Sequence, residues 1–127
     1  MDPTWERAVR SGDATAVREM LRAGVDVDAR DRHGQTALML AAQRGHGEVT
    51  ALLVEAGADL NVAAKYNLTA LMLAIVAGHA AVARVLIGAG ADLDVRGTGA
   101  PGFAGKTAYD LAVAREMTEL YPDLARG

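Results

Sequence analysis

The chain repeats itself every 33 residues, and this period constrains its fold more than any other feature. Gly45-His46 returns as Gly78-His79, and Gly57-Ala58-Asp59-Leu60 as Gly90-Ala91-Asp92-Leu93. Gly24-Val25-Asp26-Val27 stands one period earlier still, and Gly12 one period before Gly45. The longest word, Thr36-Ala37-Leu38-Met39-Leu40-Ala41, comes back as Thr69-Ala70-Leu71-Met72-Leu73-Ala74. Its third form, Thr107-Ala108-Tyr109-Asp110-Leu111-Ala112, follows after 38 residues, so five residues are inserted before it. Such a chain is an array of like units. Each unit leaves an apolar face bare, and stacking on its neighbours covers that face.

Each unit reads as two helices. Thr36 has the side-chain oxygen that caps a helix start, and the short apolar run behind it ends at Gly45, a left-handed stop. A second helix, about Gly47 to Ala56, carries Val49, Leu52, Leu53 and Ala56 at helical spacing and stops at Gly57. Gly-, Asp- and Asn-rich turns follow. Asn67 stands where the other units have glycine and suits a left-handed backbone. With 27 alanines the helices can approach closely. The expected units are a capping one at 4–30, full ones at 31–63 and 64–96, an insertion at 97–101 and a last, capping one at 102–127. Trp5 falls where later units have Leu38 and Leu71, so it is expected to lid the core behind the wet outer face of Glu6, Arg7 and Arg10. The last unit closes with Glu116, Glu119, Asp123 and Arg126, and Pro122 shortens its second helix. The insertion Gly97-Thr98-Gly99-Ala100-Pro101 is expected to be a mobile loop.

These words resemble the ankyrin repeat, whose pattern runs G-x-T-P-L-H-x-A-A, then G-H, then G-A-D-V-N. The unit Gly34-Gln35-Thr36-Ala37-Leu38-Met39-Leu40-Ala41-Ala42, with Gly45-His46 and Gly57-Ala58-Asp59-Leu60-Asn61, follows it closely. The departures are Ala for Pro at 37, 70 and 108, Met for His at 39 and 72, and Asn67 for Gly. The resemblance implies an all-α solenoid of stacked helix-turn-helix units with protruding, hairpin-like turns. It also implies a protein-interaction module without catalysis of its own.

Composition narrows the classes further. Without cysteine there is no disulfide, thiolate zinc site or cysteine nucleophile. A net charge of -3 argues against a general nucleic-acid binder. The start of the chain lacks the basic and apolar runs of a signal peptide, so a cytoplasmic protein is expected; separately, a monomer is expected. The apolar stretch Leu68 to Leu93 is broken by Gly78-His79, Arg84 and Gly88-Ala89-Gly90, which argues against a membrane span. Residues Ala100 to Thr107, with Gly105-Lys106-Thr107, resemble a loosened phosphate loop, but no buried strand precedes them. His46 and His79 recur once per unit and are expected to bond nearby backbone rather than a metal. The pairs Asp26/Asp28 and Asp92/Asp94 fall in turns, where Asp bonds backbone N–H groups. Ser11, the one serine, has no nucleophile elbow around it, and Asn67-Leu68-Thr69 is a glycosylation triplet whose residues already have roles in the repeat. No cofactor and no metal is expected.

Carried over from the family, the turn tips and first-helix ends form a concave binding surface. In this sequence that surface comprises Arg30, Arg32, His33, Gln35, Gln43 and Arg44 in one unit, and Lys65, Tyr66, Leu68, Val76 and Ala77 in the next. Arg10, Ser11, Arg96, Phe103, Lys106 and Arg115 flank them. The set holds eight of the 13 Lys and Arg residues but, among acids, only Asp31 nearby. A basic face around an apolar centre of Tyr66, Leu68 and Val76 would complement an acidic peptide or protein surface. Two other readings stay open: a regulatory, inhibitor or immunity-type subunit that blocks an enzyme, and a nucleotide switch using residues 97–107.

Overall fold

The computed structural model describes residues 1–99 and 101–125; Ala100, Arg126 and Gly127, and the sequence readings that fall on them, lie outside the described residues. Four helical hairpins follow one another. They are α1 (Pro3–Ser11) with α2 (Ala14–Arg22), α3 (Ala37–Arg44) with α4 (Gly47–Glu55), and α5 (Ala70–Val76) with α6 (Ala80–Gly88). In the fourth, α7 (Ala108–Ala114) is answered by a 3-10 turn at Thr118–Leu120 running into the four-residue α8 (Tyr121–Leu124). The odd-numbered helices stack in one layer, with α2, α4, α6 and the C-terminal turn in the other.

Local chemistry sets the helix starts. The Thr36, Thr69 and Thr107 hydroxyls each accept the backbone N–H three residues on, at 3.3 Å. Asp2 and Asp13 cap α1 and α2 with their carboxylates. At α7 the cap is reciprocal, since Asp110 also accepts from the Thr107 N–H at 3.0 Å.

The core runs the length of the stack. Trp5, Leu38 and Leu71 hold the same position in successive units and are all fully buried, and Trp5 is 0% exposed, as a lid requires. In the last unit that position is Tyr109, and the position of Val9, Ala42 and Ile75 is Val113; these two are 37% and 45% exposed. They form the outer end of the stack, with Tyr109 resting on Tyr121 at 5.6 Å between ring centroids.

Two devices tie unit to unit. The His46 ring sits on Gly12 and its Nε2 meets the Arg10 carbonyl at 2.9 Å; the His79 ring sits on Gly45 and meets the Gln43 carbonyl at 3.1 Å. The histidines therefore bond backbone, but that of the preceding unit. The turns form a second ladder. Asp28 accepts the Asp59 N–H at 2.9 Å, and Asn61 accepts the Asp92 N–H at 2.8 Å. Asp26, Asp59 and Asp92 each bond the N–H two residues on within their own turns. The Asp26, Asp28 and Asp92 carboxylates are thus occupied in holding turns. No helix among the described residues is long and apolar enough to cross a membrane.

Candidate functional site

Between successive helical hairpins the backbone pinches into a projecting turn. Asp31 N–H bonds the Gln35 carbonyl at 2.8 Å, Ala64 N–H the Leu68 carbonyl at 3.1 Å, and Gly97 N–H the Lys106 carbonyl at 2.9 Å. In the first two the partners are four residues apart and in the third nine, so the five inserted residues lengthen the third turn at its tip. The first tip touches the ends of α1 and α3, through Arg10–Asp31 at 3.6 Å and Gln43–Gln35 at 2.9 Å, and the third tip touches the second, through the Thr98 N–H and the Tyr66 carbonyl at 2.8 Å. The residues that the sequence singles out lie on these tips and helix ends.

Most of them are open to a partner. Arg30, Arg32, His33, Arg44, Lys65, Arg96, Lys106 and Arg115 are exposed, as are Ser11 and Ala77. Gln35 and Gln43 are half-buried and bonded to each other at 2.9 Å, which joins the first tip to α3. Val76, at the end of α5, is half-buried. Leu68 departs from expectation: it is 4% exposed and belongs to the core. Its position is polar in the neighbouring turns, as the half-buried Gln35 and the exposed Lys106, whereas a leucine there gains by burial. The apolar centre of this face therefore lacks Leu68.

Charge on the face is also more structured than its composition shows. Arg10 is half-buried and lies 3.7 Å from Glu6 and 3.6 Å from Asp31, whose side chain is only 4% exposed. That cation is neutralised within the fold. Among the described residues Arg30, Arg32, Arg44, Lys65, Arg96, Lys106 and Arg115 have no carboxylate in ion-pair contact. The Thr107 N–H holds the Asp110 carboxyl below its ordinary value; burial opposes this, while the Thr107 hydroxyl and the charges of Lys106 and Arg96 add to it. Asp110 therefore stays ionised beside those two cations.

Among the described residues, hydrogen bonds tie the third turn to its surroundings. Thr98 N–H donates to the Tyr66 carbonyl at 2.8 Å, Asn67 Nδ2 to the Arg96 carbonyl at 3.0 Å, and Arg96 Nη1 to the Gly105 carbonyl at 2.8 Å. Phe103 packs on Tyr66 with ring centroids 5.5 Å apart, and Lys65 Nζ lies 5.0 Å from the Tyr66 centroid. Gly99 fits because it has no side chain: a Cβ there would come 2.8 Å from the tyrosine ring. Tyr66 itself is left-handed, at φ 62°, and so is Asn67, at φ 58°. The asparagine was legible as a left-handed residue; the tyrosine and the clasp over it were not.

The same bonds bear on the resemblance to a phosphate loop. The N–H groups of Gly105, Lys106 and Thr107 donate to Gly97, Phe103 and Asp110, and the Thr107 hydroxyl to Asp110. These three N–H groups, which such a loop would turn on a phosphate, are used within the chain.

A family model for ankyrin repeats in three copies matches residues 5–97. Among curated proteins, "Ankyrin repeat, SAM and basic leucine zipper domain-containing protein 1" of Mus musculus is 37% identical over 51 residues. Its counterparts in Oryctolagus cuniculus and Carollia perspicillata match equally well. The match covers 40% of this chain and 11% of each relative, so the chain aligns with about a tenth of the length of these proteins.

Proposed function

The chain belongs to the ankyrin-repeat family, and from that premise we propose that it is a non-catalytic module that binds a protein partner with an acidic surface. Ankyrin repeats are generally protein–protein interaction modules. The binding face in this reading is the side formed by the three turn tips and the ends of the odd-numbered helices.

One observation carries the proposal. A protein of net charge -3 exposes on this side seven Lys and Arg residues without ion-pair partners among the described residues. Solvent-facing cations of this kind contribute little to folding. They speed encounter with an oppositely charged surface and disfavour other partners. The rigid stack presents them already in place, which reduces the entropy lost on binding.

The test is capture of partners on the wild-type chain and on an Arg32→Glu/Arg44→Glu/Lys65→Glu variant. All three residues are exposed, so the melting temperature should hold. The proposal expects partners that are retained by the wild type and lost by the variant. Identical partner sets on both would place the interface elsewhere.

A further inference from the structure

We infer that the third turn, clasped over Tyr66, is a subsite for one apolar side chain of an acidic peptide segment, with Lys65, Arg96 and Lys106 taking the flanking carboxylates. This rests on the interaction reading above and assigns it a location and a ligand chemistry.

Among the described residues, the third turn and Tyr66 bring together what the first tip lacks. Tyr66 and Phe103 form a half-buried aromatic pair, while the equivalent tip in the preceding unit carries the exposed His33. Half-buried aromatic rings with cations around them have the composition of an interface anchor. The pair is preorganised. Two backbone-linked bonds, Thr98 to Tyr66 and Asn67 to Arg96, fix the turn against its neighbour. Arg96 is oriented by its bond to the Gly105 carbonyl and keeps its charge exposed. Lys65 projects beside the tyrosine ring, and Lys106 follows the tip.

Charge selects the ligand. None of the three cations has an ion-pair partner among the described residues, and Asp110, on which the charges of Lys106 and Arg96 act, is committed to the α7 cap. A short acidic segment supplies the missing negative charge, and a Leu or Phe within it supplies the contact for the aromatic pair. Single-stranded nucleic acid also joins cations to aromatic rings, but it needs ring faces free for stacking. Lys65, Gly99 and Phe103 already lie against Tyr66, and the half-exposed remainder of the pair suits contact with one side chain rather than a run of stacked bases.

The experiment is amide-resolved NMR titration of the full chain with four probes. These are a 12-residue Asp/Glu peptide with one central Leu, the same peptide with Ala for Leu, its Lys/Arg counterpart with Leu, and a 12-nucleotide oligo-dT. The acidic Leu peptide should perturb residues 65–67 and 96–106. It should bind at least about tenfold more tightly than its Ala counterpart, the span of one anchor contact. Lys65→Glu/Lys106→Glu should weaken it by a similar factor with an unchanged melting temperature. Phe103→Ala should abolish the preference for Leu over Ala while leaving α3 and α5 amides in place. Perturbation confined to Arg10, Arg44 and Arg115 would overturn the subsite and leave the interaction face standing. Binding of oligo-dT at residues 65–67 in preference to the peptide would replace the ligand class. A response to none of the probes at millimolar concentration would overturn the subsite, and the capture experiment above would then decide the wider reading alone.

Discussion

The first two junctions of the stack and the last are built differently. Between the first three helical hairpins a histidine ring lies on the glycine that ends the preceding inner helix and bonds a carbonyl of that helix. At the last junction the histidine position is Met117, which is buried, and Gly78 meets only the tip of the Arg115 side chain. The glycine position one unit further on is Glu116, held left-handed at φ 56°. Where the His–Gly device is missing, the lengthened third turn ties the last unit by its clasp on Tyr66. A repeat array can thus drop its regular fastener at one end and replace it with an irregular one, and here the irregular one is also the proposed binding subsite.

The largest contrast should come from the glycines. In Gly45→Ala the new Cβ would sit 2.7 Å from His79 Nδ1 on a left-handed backbone. The loss should be about 2–4 kcal/mol from strain and overpacking together. Gly78→Ala shares the strain, but its nearest obstacle is a flexible arginine tip at 3.2 Å. Its loss should be about 1–2 kcal/mol. Urea midpoints of the two variants measure the difference, and equal losses would erase the distinction between the junctions.

Deleting residues 98–102 restores the spacing of the other turns and removes the Thr98 bond and the seat of Gly99. The cost should be about 1–2 kcal/mol. Hydrogen exchange should quicken in α7 while α3 is unaffected. Uniform exchange across both helices would mean that the clasp does not fasten the last unit.

Glu116→Gly should stabilise by about 0.5–1 kcal/mol, because glycine takes the left-handed backbone without a Cβ penalty. Thermal unfolding reads this directly. No gain would show that the side chain of Glu116 offsets its own strain.

The smallest effect concerns Asp110, whose depressed pKa makes its contribution complete above the ordinary carboxylate range and lost as pH falls through its lower folded value. Asp110→Asn should therefore cost about 0.3–0.5 kcal/mol near neutrality. The gap to wild type should close in acid. A gap that widened in acid would reverse the sign of the linkage.

Much of this architecture was legible in the sequence because it is periodic. Thr36, Thr69 and Thr107 announce helix starts by chemistry that acts within three residues, and the alignment of Trp5 with Leu38 and Leu71 foretells a buried lid. Partners that lie a whole unit away were not legible. That His79 bonds the Gln43 carbonyl, or that Asn61 receives the Asp92 N–H, depends on how the units stack. The insertion was hardest to read, since it breaks the period that makes the rest readable. Its glycines indicate looseness, whereas in the fold Gly99 is what allows close approach to Tyr66. Leu68 was misplaced for a related reason: a position that is half-buried as Gln35 and exposed as Lys106 is buried when it is leucine. The cap at Asp110 could have been found from its place three residues after Thr107, and the Glu6–Arg10 pair from its spacing of four.

The most direct test of the central claim is site-specific photocrosslinking to a captured partner. A photoreactive residue would be placed in turn at Arg32, Arg44 and Lys65, and at Thr15, Glu55 and Arg84 on the opposite layer, all of them exposed. The account predicts adducts from the first three positions and none from the second three. Adducts from Thr15, Glu55 or Arg84 alone would put the partner on the other side of the stack and contradict it.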